Sequence, residues 1–289
     1  MWRALACVGA GSLFGGYYAA SSSPVECATT KCAFSPDEFR AFRLVSSRYE
    51  THDTRRFYFA LSDKDALLNM PVASCIVAKY VDTEGKDVIR PYTPTSNNGT
   101  PGRFELIIKR YPKSKMGNHV FSLRPGEELL IKGPFQKFAY KPNQWKHIGM
   151  IAGGTGITPM YQVITAVLEN PKDKTELSLL YGNNARRDII LANELCELQK
   201  TYKNFHLYIS LLEVPKRWLG GVGYINSHMM NAFLPKPNEK DTKILVCGPA
   251  PMMKSVSGDK DYSGGSPQQG ELSGLLKELG YPASQVFKF

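Results

Sequence analysis

The chain has no cysteine framework. Its six cysteines, Cys7, Cys27, Cys32, Cys75, Cys196 and Cys247, are scattered along 289 residues and give no zinc spacing. Cys27-x4-Cys32 has the opening interval of a plant-type iron–sulfur site, but the next ligand would fall at Ser35, which excludes a cluster. No catalytic triad can be assembled from the five histidines, and no pair of carboxylates marks acid–base chemistry. A Lys/Arg run dense enough for nucleic acid is also missing. The 36 basic against 26 acidic residues nevertheless leave a net charge of +10, which favours acidic partners or an anionic surface. With 43% hydrophobic and 21% charged residues, the chain has an ordinary globular composition and the length for two domains.

Charge is absent from Ala4 to Val25, a stretch rich in Gly, Ala and Ser and long enough to span a bilayer or serve as a signal segment. Gly11-x-x-x-Gly15 has the spacing of a membrane packing face. Ala19-Ala20-Ser21 supplies small residues near a plausible cut, the competing reading; scattered cysteines argue against export. Residues 1–34 are therefore expected to be a hydrophobic anchor and linker.

After Pro36 the pattern becomes strand-like. Phe39 to Val45, Phe57 to Leu61, Pro71 to Val77, Phe104 to Lys109, Val120-Phe121 and Leu129 to Lys132 are short runs separated by Gly and Pro turns. They predict a small antiparallel β-barrel over residues 35–143. From His147 strands alternate with helices: His147 to Ala152, Leu177 to Tyr181, Phe205 to Leu212, Lys243 to Cys247 and Gln285 to Phe289 read as strands. Between them, Met160, Val163, Ile164, Val167 and Leu168 repeat at helical spacing, as do Leu191, Leu195 and Leu198, a turn around Met229 to Phe233, and Leu272 to Leu279. Residues 144–289 are expected to form a parallel, Rossmann-like α/β domain. Lys254 to Gly270 reads as a mobile surface loop.

Two stretches carry chemistry. Gly153-Gly154-Thr155-Gly156 turns the chain from a buried strand into a helix whose N-cap and first residue are expected at Thr158 and Pro159. Such a turn presents backbone N–H groups and a helix dipole to phosphate, although G-x-G-x-x-P is not the full dinucleotide fingerprint. In Arg90-Pro91-Tyr92-Thr93-Pro94, a guanidinium suited to pyrophosphate and a flat aromatic face are fixed between prolines. An edge strand ended by prolines, with Tyr92 in the core, is the plainer reading.

Taken with Cys247-Gly248-Pro249-Ala250-Pro251-Met252-Met253 and the final Phe289, these motifs, in order and spacing, resemble the NADH-cytochrome b5 reductases, within the ferredoxin reductase-like flavoenzymes. The C-terminal Gln269-Gly270-Glu271-Leu272 and Lys277 to Tyr281 look most like the mitochondrial form. The resemblance implies an FAD-binding barrel, an NAD-binding α/β domain, hydride transfer from NADH to FAD, and single-electron transfer to cytochrome b5 or another acidic haem protein. It implies that Arg90 and Pro91 lie at the FAD pyrophosphate, that Tyr92 stacks on the flavin, that Thr93 bonds near its N5, and that Ile107 and Lys109 line it. Lys109 would also approach the nicotinamide. The backbones of Lys115, Met116 and Gly117 would cover the FAD pyrophosphate, and Thr158 would reach the flavin from the other domain. Gly153, Gly154, Thr155 and Gly156 would receive the NAD phosphates, with Cys247, Gly248 and Pro249 beside the nicotinamide. Thr93, Cys247 and Lys109 would be the residues nearest the chemistry. A buried structural role is the alternative for Cys247.

Two positions depart from the family pattern. The family has Gly-Lys-Met-Ser where this chain has Ser114-Lys115-Met116-Gly117, leaving the Gly117 N–H as the expected donor. Leu212 stands where an Asp meets the adenosine ribose, so NADPH is not excluded, with Glu213 next door as a possible substitute. Lys109, Arg110, Lys113, Lys115, Arg124, Lys137 and Lys141 are expected to form a docking face for the acidic partner, or else a solvated surface. The expected setting is a monomer at the mitochondrial outer membrane or intermembrane space, or at the endoplasmic reticulum membrane. An oxygenase or desaturase reductase would share every motif. Outside enzymes, a membrane-tethered nucleotide-binding adaptor stays open.

Overall fold

The computed structural model describes residues 32–263 and 267–289. The anchor expected at the N-terminus lies outside them but for its last few linker residues. Among the described residues no helix is long and apolar enough to cross a membrane.

The first lobe is a six-stranded antiparallel sheet in the order β4-β3-β6-β1-β2-β5. Its strands are β1 (Arg40–Thr51), β2 (Thr54–Ala60), β3 (Ser74–Val81), β4 (Asp87–Tyr92), β5 (Arg103–Lys109) and β6 (Glu128–Gln136). Alternation drives the burial: Phe57 and Phe59 on β2, Phe104, Leu106 and Ile108 on β5, and Leu129 and Ile131 on β6 all turn into one core. Three rings seal it, with Phe34, Phe42 and Phe104 in edge-on contact at centroid distances of 5.0 to 5.3 Å. No continuous ladder joins β4 to β5; the seam of the expected barrel is bridged just past β4, where the Thr95 N–H donates to Glu105 O of β5 at 3.1 Å.

One expected strand is instead a helix. Val120 and Phe121 belong to α1 (Lys115–Ser122), which Ser114 caps by accepting the Gly117 N–H at 3.0 Å. Met116 and Val120, four residues apart, face the core. A two-residue apolar run carries no period, which is why the strand reading failed there.

The second lobe is a parallel sheet in the order β10-β9-β8-β7-β11-β12. It comprises β7 (His147–Gly153), α2 (Ile157–Leu168), β8 (Glu176–Ala185), α3 (Ala192–Thr201), β9 (Phe205–Glu213), β10 (Gly221–Val222), α4 (Ser227–Phe233), β11 (Thr242–Cys247), α5 (Ala250–Val256), α6 (Gly274–Glu278) and β12 (Val286–Lys288). Both faces are covered: Met160, Val163, Ile164 and Val167 of α2 pack on one side, Met229, Met230, Val256 and Leu276 on the other. From β7 the chain runs first toward β8, β9 and β10, then returns to place β11 on the other flank, with Ala152 beside Cys247. The order reverses there, at the C-terminal ends of the strands where open α/β sheets bind their ligands.

Three boundaries differ from expectation. Gly154–Gly156 forms a turn of 3-10 helix, so α2 begins at Ile157 and Thr158 and Pro159 lie within its first turn. The glycines themselves wind the chain, and Pro is tolerated where helical N–H groups lack partners. Lys254 to Val256 close α5 instead of opening a loop, and α6 is shorter than the leucine spacing suggests.

Candidate active site

The lobes meet along a cleft of about 600 Å³. One wall is the end of β4, with Arg90, Pro91, Tyr92 and Thr93, together with Ile107 and Lys109 of β5. The facing wall is the glycine turn, with Thr155, Gly156 and Thr158, and the end of β11, with Cys247, Gly248 and Pro249. Lys109, Tyr111 and Pro249 are shared with a second recess of about 490 Å³, which Gly153, Gly154, Asn183, Leu212 and Tyr224 help to line. Tyr92 and Gly156 of the triple-glycine turn, 64 residues apart in sequence, therefore converge on one space.

Tight packing fixes the turn. A Cβ on Gly156 would lie 2.1 Å from the Cys247 carbonyl oxygen, and one on Gly153 would lie 2.5 Å from Met252 Sδ. Gly154 has φ +52° and nothing within 4 Å of a Cβ position, so its backbone faces open space. The fully buried Tyr181 donates its hydroxyl to the Gly154 carbonyl at 3.0 Å. Thr158 Oγ1 donates to Thr155 O at 3.2 Å, which turns its side chain along the same loop.

Lys109 sits at the neck between the two spaces, and Asp53 holds it at 2.9 Å. Burial raises the Asp53 carboxyl, but Lys109 and the hydroxyls of Thr51 and Thr54 outweigh it and keep its pKa below the usual value. Burial pushes the Cys247 thiol up to about 12 and the Tyr92 phenol up to about 12, so both are neutral at physiological pH.

Polar contacts clamp the lobes around the cleft. Gln162 of α2 accepts from the Ser74 N–H at 2.8 Å and donates to Pro94 O at 3.3 Å, tying α2 to both β3 and the β4 turn. Arg56 of β2 binds Glu50 at 2.8 Å and Glu194 of α3 at 2.5 Å, while Glu50 also accepts the Leu191 N–H at 2.8 Å.

Lys115, Met116 and Gly117 are not on the cleft wall. Lys115 pairs with Asp82 at 2.7 Å, Met116 is in the core, and the Gly117 N–H is taken by Ser114 Oγ. Ser114 lines the cleft in their place. A Cβ at position 117 would lie 2.9 Å from Ser114 Oγ, so the hydroxyl missing from one end of the motif is supplied from the other. Ser74, Cys75, Tyr111, Lys137 and Lys260 also line the cleft. No motif marks them; only the fold brings them there. Leu212 lines the second recess, whereas Glu213 points to Arg187 at 3.4 Å and is not on its wall. Successive strand residues face opposite ways, so Leu212 and not Glu213 is turned to the recess.

A model of oxidoreductase FAD-binding domains matches residues 41–140, and one of oxidoreductase NAD-binding domains matches residues 150–258. NADH-cytochrome b5 reductase 2 of Aspergillus niger is 47% identical over 240 residues, 82% of this chain and 73% of that protein. The chain belongs to the NADH-cytochrome b5 reductase family. An NADH-cytochrome b5 reductase-like protein of Arabidopsis thaliana is 47% identical over 266 residues, 90% of this chain and 79% of that one. Among solved structures, the cytochrome b5 reductase domain of Ulva prolifera nitrate reductase superposes with TM-score 0.77 at 30% identity, covering 90% of this chain and all of that one.

The reductase walls fit the cofactors that these domains bind. Ser74, 1% exposed, brings to the cleft a hydroxyl with no partner among the described residues. A buried hydroxyl left open in this way suits a polar ligand.

Proposed function

We propose that the protein is an NADH-dependent flavoenzyme that transfers a hydride from NADH to bound FAD and then single electrons to cytochrome b5. The observation that carries this reading is the shared cleft, where Tyr92 and Thr93 of one lobe face Thr155, Gly156 and Thr158 of the other. When bound, FAD supplies a carrier that takes two electrons together and releases them singly.

The chain's own part is to bind, align and shield. Arg90, with its planar fork, and Pro91 hold the FAD pyrophosphate, and Ser114 adds a hydroxyl at the start of α1, where Lys115 and Met116 present the helix N-terminus. Tyr92 offers its neutral ring to the flavin face, Thr93 a hydrogen bond near N5, and Ile107 an apolar contact. Thr158 approaches from the second lobe. Lys109, fixed by Asp53, reaches the nicotinamide cofactor; Gly153, Gly154, Thr155 and Gly156 receive its phosphates on backbone N–H groups. Cys247, Gly248 and Pro249 align the nicotinamide ring by packing. As a neutral thiol Cys247 acts by shape and not as a nucleophile. With Leu212 uncharged and Glu213 turned away, discrimination against NADPH is weak.

Lysines and arginines around the first lobe, including Lys113, Arg124 and Lys141, steer an acidic haem protein to the cleft, so its turnover falls as salt rises. The uncharged Ala4 to Val25 segment anchors a monomeric enzyme in a membrane, and the C-terminal resemblance points to the mitochondrial outer membrane. Cell fractionation with and without that segment checks the placement.

The deciding experiment is anaerobic. NADH should bleach the bound flavin, NADPH should do so more slowly, and added oxidised cytochrome b5 should restore the yellow colour. A colourless protein that binds no added FAD would overturn the assignment.

A further inference from the structure

Of the stretch from Lys254 to Gly270 expected to be mobile, the described residues that follow α5, 257–263 and 267–270, are braced. The Lys288 ammonium, 2% exposed, donates to the carbonyls of Ser257 at 3.4 Å, Asp259 at 3.0 Å and Glu271 at 3.0 Å. Gln269 exchanges two hydrogen bonds with the Lys288 backbone, at 3.0 and 2.6 Å. Gly258 (φ +80°) and Gly270 (φ +64°) let the chain double back on itself, and a Cβ on either would lie within 2.5 Å of a neighbouring oxygen. Asp261 and Gln268 pair backbone to backbone at 2.8 and 3.2 Å. This construction holds Lys260, Tyr262 and Pro267 against the cleft.

Lys260 is partly buried there, and Lys137, just past the end of β6 in the other lobe, lines the same cleft. Lys137, Cys247 and Cys75 act on Lys260 from around the cleft, and the Lys288 ammonium acts on it from within the loop; none of these is a carboxylate. Neither lysine has a carboxylate partner among the described residues. Two cations that share a recess and lack counter-ions repel each other at rest, and the repulsion is relieved when negative charge enters between them.

We propose that Lys260 and Lys137, brought together from the two lobes, stabilise the negative charge that the bound flavin gains on reduction and so raise its midpoint potential. This rests on the reading of the cleft as the flavin site. Hydride transfer moves one proton and two electrons from dihydronicotinamide to the flavin, leaving the nicotinamide ring one charge more positive and the flavin one charge more negative. Release of the proton to water and of the electrons singly to two haem acceptors restores the starting charge. The oxidised nicotinamide departs, whereas the flavin charge persists until the acceptors arrive. Lys260, partly buried, counts for more than a surface charge, and the exposed Lys137 for less.

The test is the midpoint potential of bound FAD in the full-length protein without nucleotide, by anaerobic dye titration, for Lys260→Met, Lys137→Met, the double variant and Lys260→Arg. Lys260→Met should weaken the reduced form relative to the oxidised one by roughly tenfold, a fall of about 30 mV for a two-electron couple, and Lys137→Met by a smaller amount in the same direction. The double variant should fall further, and Lys260→Arg should keep the wild-type value. Raising salt should lower the wild-type potential but not that of the double variant. Because Lys137 is exposed and far from the braced loop in sequence, its variant reports even if Lys260→Met fails to fold. Full FAD occupancy with unchanged potentials in both single variants overturns the proposal. A wild-type protein that binds no FAD overturns the functional reading instead.

Discussion

Replacing Arg56 by Met tests the strength of the buried charge cluster that the first lobe carries at the lobe junction. The guanidinium side chain is 7% exposed and binds Glu50 and Glu105, 11% and 12% exposed, within β1–β5, and Glu194 of α3 across the junction. Burial opposes its charge, but the hydrogen bond to Glu50 and the fields of Glu105 and Glu194 overcome this and raise its pKa far above any assay pH. Removing one partner of a buried ion pair costs about 3–5 kcal/mol, because the other charge stays in place without compensation. Glu194 is 31% exposed and hydrates readily, so the loss comes chiefly from Glu50 and Glu105. Met keeps much of the apolar stem, which limits the packing loss. The expected outcome is a loss of about 4 kcal/mol, or roughly 10 °C in melting temperature for a chain of this size. Arg56→Lys retains the charge but not the fork and should lose roughly half as much. Denaturant titration of both variants with FAD bound is the assay. A loss below about 1 kcal/mol for Arg56→Met, the value of an exposed pair, would refute the buried clamp.

Three further outcomes follow from the site. Gly156→Ala drives a methyl group into the Cys247 carbonyl, displacing the turn from β11; kcat/KM for NADH should fall by about 100-fold while the FAD-binding lobe keeps its flavin. Leu212→Asp places a carboxylate on the second recess and should shift the NADH-to-NADPH ratio of kcat/KM by about tenfold or more toward NADH; an unchanged ratio would mean that the ribose lies elsewhere. With its thiol near pKa 12, Cys247 should show no thiolate-dependent alkylation between about pH 7 and 9, and Cys247→Ser should leave the pH profile of turnover flat over that range.

The alternating strands of the first lobe and the strand–helix alternation of the second are legible in the chain because each buried face repeats at its own period. The glycine turn, the Arg90 to Pro94 run and the Cys247 motif were legible because each needs special residues in consecutive positions. Helix α1 was hidden because its fully buried apolar side chains, Met116 and Val120, make one short face. The braced loop was hidden because Gly, Ser, Asp and Gln suit a free loop and a hydrogen-bonded one equally.

What the sequence determined alone is the local chemistry: an aromatic and a guanidinium frozen between prolines, glycines free of side chains at a strand end, and apolar periods that allow only these layers. What tertiary structure decided is which distant residues share a space. The reversal of strand order beside β7 puts Cys247 against Ala152, the lobe contacts bring Tyr92 to Gly156, and Lys288 carries Lys260 to the cleft edge. Long-range pairing of this kind depends on sheet order and on buried hydrogen bonds between remote segments, and neither leaves a spacing in the chain to be read.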